Sequence, residues 1–188
     1  MTDIKNTSFE AVAAALIACF KGGGKLLLCG NGGSSADCAH IVGELAKGFR
    51  KKRPLPEALQ AAIGTDRLQM GLPAIDLTAN AALISAVNND LGGEYVYAQQ
   101  VMAYGRPGDA LLGISTSGNA RNVELAMRAA RARGVTCVAL TGRGGGRLKA
   151  LCDICVEAPE TETYRVQEEH IRLYHELCAR VEEAFFPV

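Results

Sequence analysis

Short apolar runs alternate along this chain with segments in which apolar residues recur every three to four positions. The runs predict buried β-strands, and the periodic segments predict helices packed over them. The predicted strands are residues 25–29, 73–77, 109–114, 135–140 and 153–157. The predicted helices are residues 6–22, 34–48, 80–88, 93–104, 119–133, 147–151 and 163–185, with a partly helical segment at 56–63.

The strand composition predicts the architecture. The runs are nearly continuous in Val, Ile, Leu and Ala and are separated by helices, which is typical of a parallel sheet buried on both faces. We therefore expect an α/β fold, a three-layer sandwich with a five-stranded parallel sheet and helices on both faces. The chain of 188 residues fits one domain, residues 1–188. Ligands of such folds bind beyond the C-terminal ends of the strands.

Charge and hydropathy exclude some classes of partner. The chain has 20 basic and 20 acidic residues and a formal net charge of +0, so no nucleic-acid surface is expected. Its one basic run, Arg50–Arg53, is expected to be a solvated loop or a rim charge near the ligand. No apolar run approaches the ~20 residues that span a membrane, and residues 1–6 do not form a secretory signal. No membrane partner and a cytoplasmic location are expected.

The cysteines support the same compartment. There are seven, most of them within apolar segments, which is typical of buried free thiols in a reducing environment. Cys152 and Cys155 form an isolated C-x-x-C with no second Cys or His pair at zinc-finger spacing. The segment Leu151–Val156 is expected to be strand, so a structural role is favoured over a metal or redox role.

Two turns rich in Gly, Ser and Thr follow predicted strands. The first is Gly30–Ser35, and the second is Ser115–Asn119. Each leads into a helix, so free backbone N–H groups and a positive helix end are available to an anion. Two such turns in one chain indicate a small phosphorylated ligand. The loop Gly142–Gly146 is a weaker anion candidate, because such loops more often only connect a strand to a helix.

Two pairs of polar residues share helix faces. His40 and Glu44 are one turn apart, and Gln167 and His175 are two turns apart. Together they could act as general acid and base or hold a divalent metal such as zinc. Spacing alone favours two unrelated surface pairs, since Gln is an uncommon zinc ligand.

Three further features have simple structural interpretations. His170 follows Glu168 and Glu169 and is expected to face water. Asn89-Asp90 is compatible with an ordinary helix end. Asn31 is compatible with a residue that only shapes a tight turn.

Taken in order, these motifs resemble the sugar isomerase (SIS) domain family, and within it the phosphoheptose isomerases. The resemblance runs from about residue 8 to residue 185. Its motifs are Gly30-Asn31-Gly32-Gly33-Ser34, His40-x-x-x-Glu44, Asn89-Asp90, Gly113–Asn119, and Gln167-Glu168-x-His170 with His175. The Ser-Thr-Ser-Gly-Asn turn marks a phosphosugar-binding domain, whereas the His/Glu and Gln/His sets are more specific.

The resemblance implies a flavodoxin-like sheet and the conversion of sedoheptulose 7-phosphate to D-glycero-D-manno-heptose 7-phosphate through an enediol. It implies that Glu44 and His175 are the acid–base pair. The implied substrate-binding residues are Asn31, Gly32, Gly33, Ser34, Glu44, Asn89, Asp90, Ser115, Thr116, Ser117 and Gln167. The implied zinc ligands are His40, Glu44, Gln167 and His175. The resemblance also implies a homotetramer with shared sites, in which helices 6–22 and 163–185 pack between subunits.

Two alternatives stay open at this point. The first is a non-catalytic relative that associates with the DnaA initiator, although such relatives tend to lack the carboxylate and histidine that Glu44 and His175 supply. The second is an isomerase or binding domain for another phosphosugar. Ala120 supports the second, because family members often have a phosphate-binding Ser at that position. The basic, Pro-containing segment Phe49–Leu72 also departs from the family pattern.

Overall fold

Five strands, three of them buried along most of their length, form the centre of the protein. The computed structural model describes residues 7–187. The strands are β1 (Leu26–Gly30), β2 (Ala74–Asp76), β3 (Ala110–Ser115), β4 (Thr136–Thr141) and β5 (Ile154–Glu157). The helices are α1 (Thr7–Lys21), α2 (Gly33–Ala46), α3 (Glu57–Ile63), α4 (Ala81–Asp90), α5 (Val96–Tyr104), α6 (Arg121–Ala132) and α7 (Thr163–Phe185). Gly93–Tyr95 and Gly146–Ala150 form 3₁₀ turns.

The sheet has the order β2-β1-β3-β4-β5, and every pair of neighbouring strands is parallel. This is the flavodoxin-like order, whose switch point lies between β1 and β3. Side chains on alternate strand positions enter two separate cores. Helices α1, α2 and α7 cover one face, and α4, α5 and α6 cover the other. The predicted three-layer α/β sandwich is confirmed.

The predicted elements have nearly the observed bounds. The strand predictions begin one residue early, and α7 has the predicted range 163–185. The first helix is observed from Thr7 to Lys21, and the predicted start at Asn6 lies outside the described residues. Helices α1 and α7 pack on the sheet of their own chain, and their packing between subunits stays a prediction.

The expectation for the basic run was wrong at one position. Arg53 is not solvated: only 1% of it is exposed. Its guanidinium bonds the Glu182 carboxylate on α7 at 2.9–3.0 Å. It also donates to the backbone oxygens of Leu45 and Glu44, at 2.7 and 3.1 Å, and so satisfies carbonyls in the last turn of α2. The basic segment is therefore fastened to both α2 and α7.

Helix α3 lies within the basic segment Phe49–Leu72, and none of its residues is buried.

Among residues 7–187, none of the helices combines the length and apolar character that crossing a bilayer requires.

Candidate active site

The two Gly/Ser/Thr turns lie side by side at one edge of the sheet. Gly30 at the end of β1 is paired in register with Ile114 near the end of β3. The turns that follow these strands therefore open into the same cleft, which has a volume of about 370 Å³. The residues that line it are Asn31, Gly32, Gly33, Ser34, Ile114, Ser115, Thr116, Ser117, Ala120, Thr163 and Gln167.

Three helix N-termini meet at this cleft. Gly33 begins α2, Ala120 immediately precedes α6, and Thr163 begins α7, and all three line the cleft. In the described chain, no side chain caps any of the three. A helix start without a cap presents unsatisfied N–H groups and the positive end of the helix dipole, which suits a phosphate. Thr163 is not among the site residues predicted from the sequence, although the predicted helix start at residue 163 indicated a possible place in the cleft.

Asn31 is held in place by side chains that the sequence did not identify. Its amide forms two reciprocal hydrogen bonds with the amide of Asn122, each 2.9 Å long. The buried Tyr97 hydroxyl donates to the Gly30 backbone oxygen at 2.6 Å and lies 3.1 Å from Asn31 Oδ1. The Asn31 turn is therefore braced by α5 and α6.

The loop Gly142–Gly146, which follows β4, packs against the Ser115–Asn119 turn. A Cβ on Gly118 would lie 2.1 Å from the Gly145 backbone oxygen, so the two segments touch through their backbones. Gly142 N–H donates to Thr116, and Gly144 N–H donates to Glu157. These N–H groups are used within the chain, in agreement with the structural interpretation of the loop.

His40, Glu44 and His175 come together on the seam between α2 and α7. His40 Nε2 lies 3.2 Å from Glu44 Oε1 and 3.4 Å from His175 Nε2. The ring of Phe49 stacks on His175, with centroids 5.6 Å apart. Burial and the nearby His40 lower the pKa of His175, while Glu44 opposes that shift. His175 thus joins the His40–Glu44 pair in one cluster, and the interpretation favoured by spacing alone was wrong for these three residues.

The buried Tyr174 side chain orients His40. Its hydroxyl lies 2.9 Å from His40 Nδ1. Burial raises the pKa of Asp37, and burial together with the nearby Asp37 raises the pKa of Tyr174. The Glu44 carboxylate can only accept, so Nε2–H of His40 donates to Glu44, and Nδ1 of His40 accepts from the Tyr174 hydroxyl.

Gln167 lies apart from this cluster in the same chain. Its side chain covers Gly33, where an added Cβ would lie 2.3 Å from Gln167 Nε2. His175 is eight residues further along α7, which is roughly 12 Å at the rise of a helix. The structure therefore joins Gln167 to the phosphate-type cleft and not to the His40–Glu44–His175 cluster.

The cleft and the cluster lie along one seam. Gln167 contacts Gly33, and His175 contacts His40, so α2 and α7 run in the same direction away from the cleft. Seven residues separate Gly33 from His40, which is roughly 10 Å along α2. An anion site and a set of titratable side chains therefore share one surface.

Asn89 and Asp90 lie away from both features. They are exposed at the end of α4, where Asn89 Nδ2 donates to Asp90 Oδ1 at 2.8 Å. Neither lines the cleft in this chain. Their contact with a sugar stays a prediction.

The expectation for His170 was wrong. His170 is fully buried, and its Nε2 lies 3.1 Å from the Thr141 backbone oxygen. Burial lowers the pKa of His170, which the Thr141 contact only partly offsets. The buried positions of α7 are Val166, His170, Tyr174, Leu177, Cys178, Val181 and Glu182. This helical period, and not the neighbouring glutamates, decides which way His170 faces.

No group of three or more His, Cys, Asp or Glu side chains that could hold a metal ion was identified in residues 7–187. The pairwise distances nevertheless resemble zinc ligation. On a tetrahedral zinc with bonds of ~2.0–2.1 Å, neighbouring ligand atoms are roughly 3.3–3.4 Å apart. The 3.4 Å between His40 and His175 and the 3.2 Å between His40 and Glu44 are close to that spacing. Both distances are also ordinary hydrogen-bond lengths, so zinc binding by these three residues stays a prediction.

Comparison with known proteins places this geometry in context. A family model described as SIS domain matches residues 1–69 and 57–142. The chain is 41% identical to the phosphoheptose isomerase of Rhodospirillum rubrum, over 92% of this chain and 83% of that protein. It is 44% identical to that of Trichlorobacter lovleyi, over 94% of this chain and 82% of that protein. The solved phosphoheptose isomerase of Neisseria gonorrhoeae superposes with a TM-score of 0.81 and 36% identity, over 96% of this chain and 88% of that one.

Proposed function

We propose that this chain, which belongs to the phosphoheptose isomerases of the SIS domain family and is therefore an isomerase, interconverts sedoheptulose 7-phosphate and D-glycero-D-manno-heptose 7-phosphate. One observation carries the proposal. The cleft at three uncapped helix starts and the His40–Glu44–His175 cluster lie along the same α2–α7 seam. Extended, a seven-carbon chain ending in a phosphate is roughly 10 Å long, comparable with the separation of the two features.

The phosphate end of the substrate binds in the cleft. Ser115, Thr116 and Ser117 supply hydroxyl and backbone donors, and the starts of α2, α6 and α7 supply positive helix ends. Asn31, Gly32, Gly33, Ser34 and Gln167 contact the sugar from the other wall. Binding the phosphate away from the reacting carbons provides energy that positions those carbons.

Glu44 and His175 move the protons of the isomerisation. From the ketose, the Glu44 carboxylate takes a proton from C1 as the carbonyl at C2 becomes an enediol oxygen. His175 takes the proton from the C1 hydroxyl and supplies one to the C2 oxygen. Glu44 then returns its proton to C2, which yields the aldose with no net change in protons. The lowered pKa of His175 keeps its imidazole neutral and able to exchange protons near neutral pH.

Zinc is part of the proposal. His40, Glu44 and His175 would hold the ion, with Gln167 as the fourth ligand. When bound, a divalent ion would polarise the substrate carbonyl. Tyr174 orients His40 through its Nδ1, so that Nε2 faces the site.

A shared site follows from the position of Gln167. Because Gln167 of the same chain packs on Gly33 in the cleft, roughly 12 Å along α7 from His175, we propose that Gln167 of a second copy completes the site. The proposed assembly is the homotetramer that the family resemblance implies. The surface of α3 supports a subunit contact, since Leu59 is 44% exposed and Ile63 is 52% exposed. Asn89 and Asp90 would reach a sugar only through such an assembly.

Assays on a panel of sugar phosphates test the function. The enzyme is incubated with sedoheptulose 7-phosphate, or with pentose, hexose or hexosamine phosphates, with and without a chelator. We expect turnover of the heptulose phosphate to exceed that of the others, and to fall when the chelator removes metal. Turnover of another phosphosugar instead would support the second alternative and would fit the missing hydroxyl at Ala120 in the cleft.

A further inference from the structure

Cys152 and Cys155 lie together at the edge of the sheet, away from the proposed catalytic cluster. Cys152 follows the 3₁₀ turn Gly146–Ala150, and Cys155 is the second residue of β5. Both side chains pack against the same apolar core, the one under α4, α5 and α6. Each thiol shifts the pKa of the other, and both residues remain partly exposed. The expected strand is observed for Cys155 but not for Cys152, which lies in the turn before it.

Polar neighbours surround Cys155. Its Sγ lies 3.7 Å from the Thr141 hydroxyl. Lys149 lies nearby and pairs with Glu157 at 2.7 Å, and the Cys152 thiol contacts the Lys149 backbone oxygen at 3.7 Å. The neighbouring Cys152 thiol lowers the pKa of Cys155 to about 7, assisted by Thr141 and Lys149 and opposed by burial and Glu157. Cys155 in turn raises the pKa of Cys152.

The other five cysteines have a different environment. All are buried, and burial raises the pKa of each of them: Cys19, Cys29, Cys38, Cys137 and Cys178. Thiolate is the reactive form of cysteine. These thiols are therefore protected, because they are buried and because they remain protonated. Of the seven cysteines, Cys155 is the one that combines partial exposure to solvent, a lowered pKa and a neighbouring thiol.

A metal role for the pair lacks ligands. Two thiolates supply half of a tetrahedral zinc site, and no metal-binding group of three or more Cys, His, Asp or Glu was identified in the described chain. A thiol–disulfide role needs only the two sulfurs and a disulfide from solution. We propose that Cys152 and Cys155 form a reversible thiol–disulfide redox site that exchanges with low-molecular-weight disulfides. This inference does not depend on the proposed isomerase reaction.

Exchange with a small disulfide proceeds in two steps. The Cys155 thiolate attacks one sulfur of the small disulfide, breaking its S–S bond and releasing one small thiolate. Cys152 then loses its proton to solvent and attacks the Cys155 sulfur, which breaks the mixed disulfide and releases the second small thiolate. The two protein thiols are oxidised by two electrons, the small disulfide is reduced, and the two protons finish on two small thiols.

Mass spectrometry of the folded wild-type protein tests the proposal. Trypsin releases residues 150–165 as one peptide that contains Cys152 and Cys155 and no other cysteine. After incubation with oxidised glutathione at pH 7, we expect this peptide to lose two hydrogen atoms and its reaction with iodoacetamide. Dithiothreitol should restore both. In the reduced protein, Cys155 should react with iodoacetamide at least about ten times faster than buried Cys19.

Two variants separate the roles of the thiols. Cys152→Ser should accumulate a glutathione mixed disulfide on Cys155, whereas Cys155→Ser should take up little glutathione at Cys152. Cys19→Ser is the matched control and should still form the disulfide. The proposal is overturned if wild-type residues 150–165 stay fully reactive with iodoacetamide after oxidised glutathione, or if other cysteines are modified first. The wild-type measurement decides this even if a variant does not fold.

Discussion

The hydroxyl of Tyr174 lies 2.9 Å from Nδ1 of His40, across the seam between α2 and α7. Tyr174 is buried, and burial together with the nearby Asp37 carboxylate raises its pKa. The far nitrogen of that imidazole contacts both Glu44 and His175. The orientation of the cluster therefore depends on Tyr174, which is not one of the residues proposed to contact the substrate.

Removing the Tyr174 hydroxyl should impair turnover more than binding. In Tyr174→Phe, Nδ1 of His40 loses its partner, so both the ring orientation and its tautomer are less defined. We expect kcat to fall about tenfold, with KM changed less than about twofold. Steady-state kinetics with sedoheptulose 7-phosphate measure this. Tyr164→Phe, an exposed tyrosine on the same helix, is the matched control. Equal losses in the two variants would contradict a positioning role for Tyr174.

Removing a hydroxyl from the cleft should weaken substrate binding. Hydrogen bonds to a charged partner contribute ~1.5–3 kcal/mol, so Ser115→Ala and Ser117→Ala should each raise KM by roughly tenfold or more. The change in kcat should be smaller. Ser85→Ala, on the exposed side of α4, should leave both constants unchanged. If the parent enzyme used the phosphate-free sugar equally well, the cleft would not be a phosphate site.

Adding a hydroxyl at Ala120 should have the opposite effect. Ala120 lines the cleft at the start of α6, where no side chain caps the helix. Ala120→Ser provides a donor that reaches either the phosphate or the α6 backbone. Bonding to the phosphate should lower KM several-fold, whereas capping should raise the free energy of unfolding by ~1 kcal/mol. Ala132→Ser at the other end of α6 is the control. No change in either quantity would contradict the placement of Ala120.

Glu182 should contribute stability that depends on pH. Burial opposes its charge, but the N–H groups of Phe49 and Arg50 and the guanidinium of Arg53 outweigh that, so the pKa of Glu182 is lowered. A lowered pKa contributes stability that is complete above the unfolded value of about 4.3 and is lost as pH falls through the folded value. Urea unfolding should therefore show a stability loss below about pH 4.

The variant Glu182→Gln should leave Arg53 without its partner and lower the free energy of unfolding at neutral pH by ~3 kcal/mol. Its acid-induced loss of stability should be smaller than that of the wild type. Glu183→Gln is the matched control, because Glu183 is 62% exposed and pairs with Lys51 at the surface. A similar cost in both variants would mean that the Arg53–Glu182 pair does not stabilise the fold.

Much of the fold followed from the sequence because strand runs and helical periods are local signals. The cleft was also predictable, since turns after neighbouring parallel strands must open at the same edge, and the relevant hydroxyls follow β1 and β3 directly. The acid–base cluster needed more than spacing. His40 and His175 meet only because α2 and α7 pack side by side, and family resemblance supplied that information.

The errors arose where long-range packing decides the environment. Arg53 looked solvated within a basic run, but its partner Glu182 is 129 residues away in sequence. His170 looked exposed beside two glutamates, but it occupies the buried stripe of α7. Tyr174 and Asp37 carried no local signal, because their role depends on the side chain that each one contacts across two helices. In each case the neighbour in space, and not the neighbour in sequence, determined the outcome.

The most direct test of the account is Glu44→Gln, measured for turnover and for binding of sedoheptulose 7-phosphate in the same preparation. Glu176→Gln on α7 is the control for loss of a carboxylate. If Glu44 transfers the proton while the cleft holds the phosphate, kcat should fall by about 10² or more while the dissociation constant changes little. A Glu44→Gln enzyme as active as its parent would contradict the assignment of the reaction to this cluster.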